Sequence, residues 1–354
     1  MIVTPPAMAN QPDPDARPGT GLVRVSLVMP IHGCLGLSRP ALAALRTLSP
    51  RPDEVIVVAD VPVPAEELDW LPESTLLLHV PFQSGPAVAR NAGAAAATGD
   101  LVLFVDSDVV VPPGTLRRIQ ELFASDPGLA AVFGSYDAEP GDPGFLSQYR
   151  NLLHHYVHQQ GREEASTFWA GLGAVRLDPF RAVGGFDPTF AIPSIEDIEL
   201  GCRLSDAGHR IRLVKDLQAK HLKKWTAANL LRTDLFQRGI PWTRLILRRQ
   251  RLPGDLSVDR TARLSTLACA LALGSLVAAL RFPEALLATA VSLAFLIVVN
   301  LRFYSFVART RSPWFAFRTI PWHFVFYAEC GLAALIGTAL HYRDQISAPR
   351  PSNT

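Results

Sequence analysis

A chain of 354 residues has room for about two domains, or for one domain with an appendage. At 49% apolar and 19% charged it is neither a disordered chain nor an ordinary water-soluble enzyme. Lys plus Arg (34) nearly balances Asp plus Glu (32), which excludes a global basic field for nucleic acid.

Residues 1–20 are rich in Pro and Asp, with neither a basic start nor an apolar stretch, and read as a disordered lead-in and not a signal peptide. From Val23 to about Gly239 short apolar runs (VRVSLVMP, EVIVVAD, TLLLHVP, DLVLFVDSD) alternate with the helical segments ALAALRTL and GPAVARNAGAAAATG. That alternation predicts an α/β domain over residues 21–240, with a mostly parallel sheet covered on both faces. Ligands of such sheets sit beyond the carboxyl ends of the strands, so the residues just after each run carry the functional weight. The first turn, PIHGCLG, lacks the Gly-x-Gly-x-x-Gly spacing of a dinucleotide-dependent oxidoreductase.

Past Gly239 the character changes. Residues 241–262 hold a basic amphipathic stretch with Arg244, Arg248, Arg249 and Arg251 among Leu and Ile, suited to an anionic membrane face. Residues 264–280 and 285–301 carry no charge and predict a transmembrane hairpin closed by the RFPE turn; a buried soluble hairpin is the alternative. Residues 320–340, with His323 and Glu329, make a third candidate, so residues 263–342 read as a membrane region of two or three helices before a tail, 343–354. Arginines on both flanks, including Arg302, Arg309, Arg311 and Arg318, place the α/β part on the cytoplasmic side of the inner membrane by the positive-inside rule. The four cysteines, Cys34, Cys202, Cys269 and Cys330, are too scattered for a disulfide framework or a zinc site, in keeping with that side.

Asp106-Ser107-Asp108 directly follows LVLFV, and two carboxylates past a strand end offer oxygen ligands for Mg or Mn; a solvated turn has the same appearance. Arg90, in the Ala-rich helix before that strand, offers a bidentate fork to phosphate or carboxylate, or makes a structural ion pair. Glu196-Asp197 opens a later helix, either complementing its N-terminus or supplying a general base. His154, His155 and His158 share a helical segment and read as a solvated polar face.

Four features then occur in order: a first strand ending at Pro30, Ala89-Arg90-Asn91-x-Gly93, Asp106-Ser107-Asp108, and Gly184-Gly185-Phe186-Asp187 followed by Glu196-Asp197. With them, residues of about 23–225 resemble the catalytic domain of family 2 glycosyltransferases, which have the GT-A fold. The resemblance implies a nucleoside-diphosphate sugar donor, UDP-linked in most of the family, and inversion at the anomeric carbon. It implies donor contacts from Pro30, Asp60, Arg90, Asp106 and Lys224, and a Mg or Mn ion held by Asp106, Asp108 and His221. Asp197 is the implied catalytic base, with Glu196 beside it in a catalytic or supporting part. Trp169, Gly171 and Trp225 are the implied acceptor contacts. Two departures stand out: Asp60 is a single acid where the family usually has two, and His221-Leu222-Lys223-Lys224-Trp225 replaces the Gln-x-x-Arg-Trp of membrane-bound relatives, which speaks against a processive polysaccharide synthase. His32 is given no role. The expected function is transfer to a lipid or cell-envelope glycan acceptor at the membrane; a polyprenyl-phosphate glycosyltransferase and a non-catalytic membrane scaffold are the alternatives.

Overall fold

The computed structural model describes residues 23–32, 38–250 and 259–347; the expected lead-in, Cys34, Arg251 and the end of the tail lie outside them. The first half runs β1 (Val25–Ile31), α1 (Arg39–Leu45), β2 (Glu54–Ala59), a 3-10 turn (Ala65–Trp70), β3 (Thr75–His79), α2 (Pro86–Ala96) and β4 (Leu101–Val105). There follow β5 (Val109–Val110), α3 (Thr115–Ser125), β6 (Leu129–Tyr136), α4 (Phe145–Gln160), β7 (Glu164–Ala165), β8 (Leu172–Arg176), α5 (Leu177–Ala182), α6 (Glu196–Asp206) and β9 (Arg210–His221). One sheet joins them in the order β3-β2-β1-β4-β8-β6-β9-β5, with β7 also on β9. The β3-β2-β1-β4 half is parallel throughout, whereas β8 runs antiparallel to both β4 and β6.

Strand periodicity sorts the side chains into two cores. Leu27, Met29, Leu101, Leu103 and Val105 point to the face covered by Leu42 and Leu45 of α1 and by Leu116, Ile119 and Phe123 of α3. Val28, Val102 and Phe104 point to the other, against Ala87, Ala89 and Ala94 of α2 and Leu200 and Leu204 of α6. Every side chain of β4 is buried, so its apolar run has no polar alternation to show; each such residue stabilises the fold by roughly 1.5–3 kcal/mol relative to exposure.

Two of the motifs interlock. The Asn91 amide donates to the Phe186 carbonyl (2.7 Å) and accepts from the Phe186 N–H (2.8 Å). Phe186 in turn packs edge-on against Phe104, with centroids 5.2 Å apart. Gly185, at φ 68°, supplies the left-handed turn that brings this about. At Gly93 a Cβ would lie 2.4 Å from Val28 Cγ1, so only glycine lets α2 approach the sheet this closely.

The C-terminal part comprises α7 (Ala227–Arg232), a π turn (Thr233–Gly239), α8 (Ile240–Arg249), α9 (Arg260–Ala278), α10 (Ala285–Val299), α11 (Leu301–Thr310) and α12 (Pro313–Ser347). Among the described residues α9 and α12 are each long and apolar enough to cross a membrane. The expected second hairpin arm is different. It stops at Val299, and α10 and α11 meet at a 58° bend. At 15 residues α10 is about 22 Å long, short of the roughly 30 Å hydrocarbon layer. The break falls at Asn300, whose amide donates to Ser265 Oγ (2.8 Å) and accepts from the Tyr327 hydroxyl (3.2 Å), tying α9 and α12 to the bend. The third candidate, 320–340, is the middle of the 35-residue α12. Leu267, Leu271, Leu287 and Leu335 are 56–73% exposed, a surface whose cover is lipid or a partner.

Within the basic segment, α8 is docked on the rest of the protein through Arg244, paired to Asp344 (2.5 Å) on α12, and Arg249, paired to Asp206 (2.6 Å) on α6. One other expectation needs correction. The histidines of α4 are not a solvated face. His155 and His158 reach the Tyr136 and Gly134 carbonyls through Nδ1 (2.7 and 3.0 Å), because α4 lies along β6. Burial pushes His158 down to about 4, so it is neutral at pH 7. The outer side of α4 (Tyr149, Leu152, Leu153) shares a core with Phe303, Tyr304 and Val307 of α11 and Ala316 of α12.

Candidate active site

The carboxyl ends of β1, β2 and β4 open onto a cavity of about 760 Å³, closed on its far side by α4, the π turn and α8. Its central post is Arg90, 5% exposed. One arm of the guanidinium donates to Asp106 Oδ1 (2.7 Å), past the end of β4, and the other to Glu196 Oε1 (2.9 Å), at the start of α6. Burial works against its charge, but the two carboxylates override that and hold its pKa well above the ordinary value. Of the two readings of Arg90, the ion pair is what the structure displays.

Glu196 spends its second oxygen as well, accepting the Ser194 N–H at 2.8 Å. Paired to Arg90 in this way, Glu196 has the arrangement of the supporting part, one of the two the resemblance leaves open to it. Asp197 differs. Its oxygens accept the Ala170 and Ile198 N–H groups (3.2 and 2.8 Å), it has no ion-pair partner among the described residues, and it lines the cavity. Burial first, and the Glu196 charge second, push its pKa up to about 7, against the opposing pull of Arg90 and the two N–H groups. A carboxyl of that kind exchanges a proton near neutral pH.

Asp106 to Val109 form a turn closed by the Val109 N–H on the Asp106 carbonyl (3.0 Å), which aims Asp108 across at β9. There His221 Nε2 lies 3.4 Å from Asp108 Oδ2, its ring stacked on Tyr136 with centroids 4.0 Å apart. Burial alone would raise the Asp108 carboxyl; the hydrogen bond and charge of His221 and the charge of Lys223 hold it below its usual range. One carboxylate oxygen facing one imidazole nitrogen is a donor pair that suits Mn or Mg. Asp106, expected as a third ligand, is drawn to Arg90 instead, and among the described residues no group of three or more His, Cys, Asp or Glu is arranged to hold an ion unaided. A cation held by Asp108 and His221 would complete its coordination with water or substrate oxygens.

At the other end of the sheet edge Pro30 and Asp60 both line the cavity. Asp60 is 3% exposed and receives His32 Nδ1 (2.9 Å), which gives His32 the role it lacked. Trp169 lines the cavity, packed edge-on against Tyr136 (4.8 Å). Gly171 does not reach it: a Cβ there would lie 2.4 Å from the Trp169 ring, so the glycine makes room for the indole, and its carbonyl accepts the Asp106 N–H (3.2 Å). Trp225 is buried and lines the cavity. Lys224 is exposed and outside the lining; Lys223 takes its place, with Nζ 4.4 Å over the Trp225 ring. Side chains alternate along β9 and just beyond, so 223 shares the side of His221 and 224 does not, a signal present in the sequence. Arg150, His154, Arg238 and Trp242 also line the cavity and had no assigned function.

The profile of the family described as Glycosyl transferase family 2 matches residues 26–184. The pre-mycofactocin glycosyltransferases of two Mycobacterium tuberculosis strains are 32% identical over 219 residues, 57% of this chain and 44% of theirs, so the chain spans less than half the length of these curated relatives. Among solved structures, a mannosyltransferase from Pyrobaculum calidifontis in complex with GDP-Man and Mn2+ superposes with a TM-score of 0.55 at 19% identity, covering 92% of this chain and 89% of that one. The fold is GT-A, as the motifs led one to expect.

Proposed function

We propose that this chain, which matches the glycosyl transferase family 2 profile over residues 26–184, is a member of that family and transfers a sugar, with inversion, from a nucleoside-diphosphate donor to a hydroxyl of a membrane-associated lipid or cell-envelope glycan. The observation that carries the reading is Asp197: a buried carboxyl facing the cavity, free of any ion pair among the described residues, with its pKa at about 7. Asp197 takes the acceptor proton as the acceptor oxygen bonds to the anomeric carbon, and the bond from that carbon to the diphosphate breaks on the opposite side. Its neighbour Glu196 is ion-paired to Arg90, which leaves Asp197 as the single unpaired carboxyl of the two, and an inverting displacement needs one base.

The nucleotide lies at the Pro30–Asp60 end, and the diphosphate points to Asp106, Asp108, His221 and Lys223. A divalent ion, Mn or Mg, held by Asp108 and His221, supplies Lewis-acid neutralisation of the departing diphosphate when bound. Lys223 adds a positive charge, while Arg90 keeps Asp106 and Glu196 in place. The apolar faces of α9 and α12, the basic flanks and the docking of α8 on α12 support a cytoplasmic site beside the inner membrane. A second reading comes from the Mycobacterium relatives, glycosyltransferases of pre-mycofactocin by name, and takes that acceptor or one related to it.

The test is purified full-length protein in detergent with UDP- and GDP-sugars and Mn2+. At least one donor is expected to release its nucleotide, by transfer or slow hydrolysis, and a chelator to abolish the release. No release from any donor would leave the non-catalytic scaffold as the better reading.

A further inference from the structure

Beyond Asp197 the cavity has a second end, where α4, the π turn and α8 meet, and its residues have no part in holding the donor. Arg150, Arg238, Trp225 and Trp242 form its wall. Behind them Asp234 Oδ1 accepts Arg150 Nη2 at 2.8 Å and lies 3.4 Å from Arg238 Nη1. Asp234, its side chain 5% exposed, does not line the cavity, whereas 41% of the Arg238 side chain remains accessible. One hidden carboxylate thus serves two guanidiniums that both line the cavity.

The polar chemistry of this wall is one-sided. The buried indole N–H groups of Trp225 and Trp242 have no hydrogen-bond partner among the described residues. Indole and guanidinium are donors only. A sugar hydroxyl accepts from such a wall but brings no charge to answer its guanidiniums. A phosphate, with several acceptor oxygens and its negative charge, complements it well. The diphosphate of the donor is not required to fill it, since its charge is met by the cation and Lys223 beside Asp108. Arg238 projects from a π turn, a device often found at functional sites.

We infer that this wall is a phosphate subsite of the acceptor, so that the acceptor carries a phosphate group near the hydroxyl from which Asp197 takes the proton. The inference rests on the reading of Asp197 as base, and it identifies the acceptor's chemical class. The phosphate comes either from a lipid or from a water-soluble phosphorylated molecule.

The experiment is calorimetry on the full chain in detergent with Mn2+. GDP and UDP are titrated first; inorganic phosphate and hexyl phosphate are then titrated into protein saturated with whichever nucleotide binds. Phosphate is expected to bind alongside the nucleotide. Arg238→Gln is expected to weaken phosphate at least tenfold while changing nucleotide affinity less than threefold, with partial rescue in Arg238→Lys. Trp242→Phe, which keeps an aromatic ring but loses the pyrrole part of the indole with its N–H, is expected to weaken phosphate a few-fold. Tighter binding of hexyl phosphate than of phosphate assigns the group to a lipid, and equal binding to a soluble acceptor; either supports the subsite. Nucleotide binding without phosphate binding, displacement of nucleotide by phosphate, or a parallel loss of nucleotide affinity in Arg238→Gln would overturn it. Failure of both nucleotides to bind would instead sink the glycosyltransferase reading, and the subsite with it.

Discussion

Asp197→Asn is expected to lower kcat by about 10²–10⁴ while leaving nucleotide-sugar affinity nearly unchanged, the loss that follows removal of a positioned general base. The isostere preserves the shape of the site, so steady-state kinetics beside calorimetry of the donor separates lost chemistry from lost binding. The wild-type pH profile follows from the same group. With its pKa raised to about 7, Asp197 is protonated and idle in mild acid, so kcat/KM should climb through about pH 7 and then level off. The linkage sign runs the other way for stability. A carboxyl whose folded pKa exceeds its unfolded value binds more protons when folded, so it costs stability as pH rises from about 4 toward 7. Asp197→Asn should therefore melt no lower than the parent at pH 8, a result that distinguishes a missing base from a damaged fold. Near-normal turnover in this variant would remove Asp197 as the base.

Arg90→Leu should have the largest effect on stability. It leaves two carboxylates, Asp106 and Glu196, without the guanidinium at 2.7 and 2.9 Å that answers them. Breaking a buried pair in this way costs about 3–5 kcal/mol, and a fall in Tm of roughly 10 °C would register it. Arg90→Lys should recover only part, because an ammonium cannot span both partners as the fork does. Because Arg90 pulls the Asp197 pKa downward, residual activity in Arg90→Lys should rise at higher pH than in the parent if the ammonium sits farther from Asp197. An unchanged Tm in Arg90→Leu would mean that the triad is not the post on which the site stands.

The parts of this site legible in the sequence are those set by strands. The apolar runs placed Pro30, Asp60 and Asp106 at strand ends because a doubly covered parallel strand has nowhere to put a polar residue until it leaves the sheet. What stayed hidden depends on which surface a regular element meets. Arg150, His154 and His158 recur every fourth residue along α4, a stripe that periodicity reveals, but periodicity does not say whether a stripe meets water or a cavity. Strand alternation would have chosen Lys223 over Lys224, had the side of His221 been taken as the reference. The docking of α8 was hidden because the acids that Arg244 and Arg249 meet, Asp344 and Asp206, lie 100 and 43 residues away along the chain. Counting charges in residues 285–301 likewise passed over Asn300, an uncharged polar residue whose three hydrogen bonds hold the bend between α10 and α11.

The central claim is that Asp108 and His221 seat the ion through which the donor's diphosphate is held. Calorimetry of GDP and UDP against wild-type protein and Asp108→Ala, each with and without Mn2+, tests it most directly. One nucleotide is expected to bind the wild type at least tenfold more tightly with Mn2+ than without. Asp108→Ala should lose that gain and return to the metal-free affinity. Equal affinity with and without Mn2+, or a variant that keeps the full gain, would contradict the account.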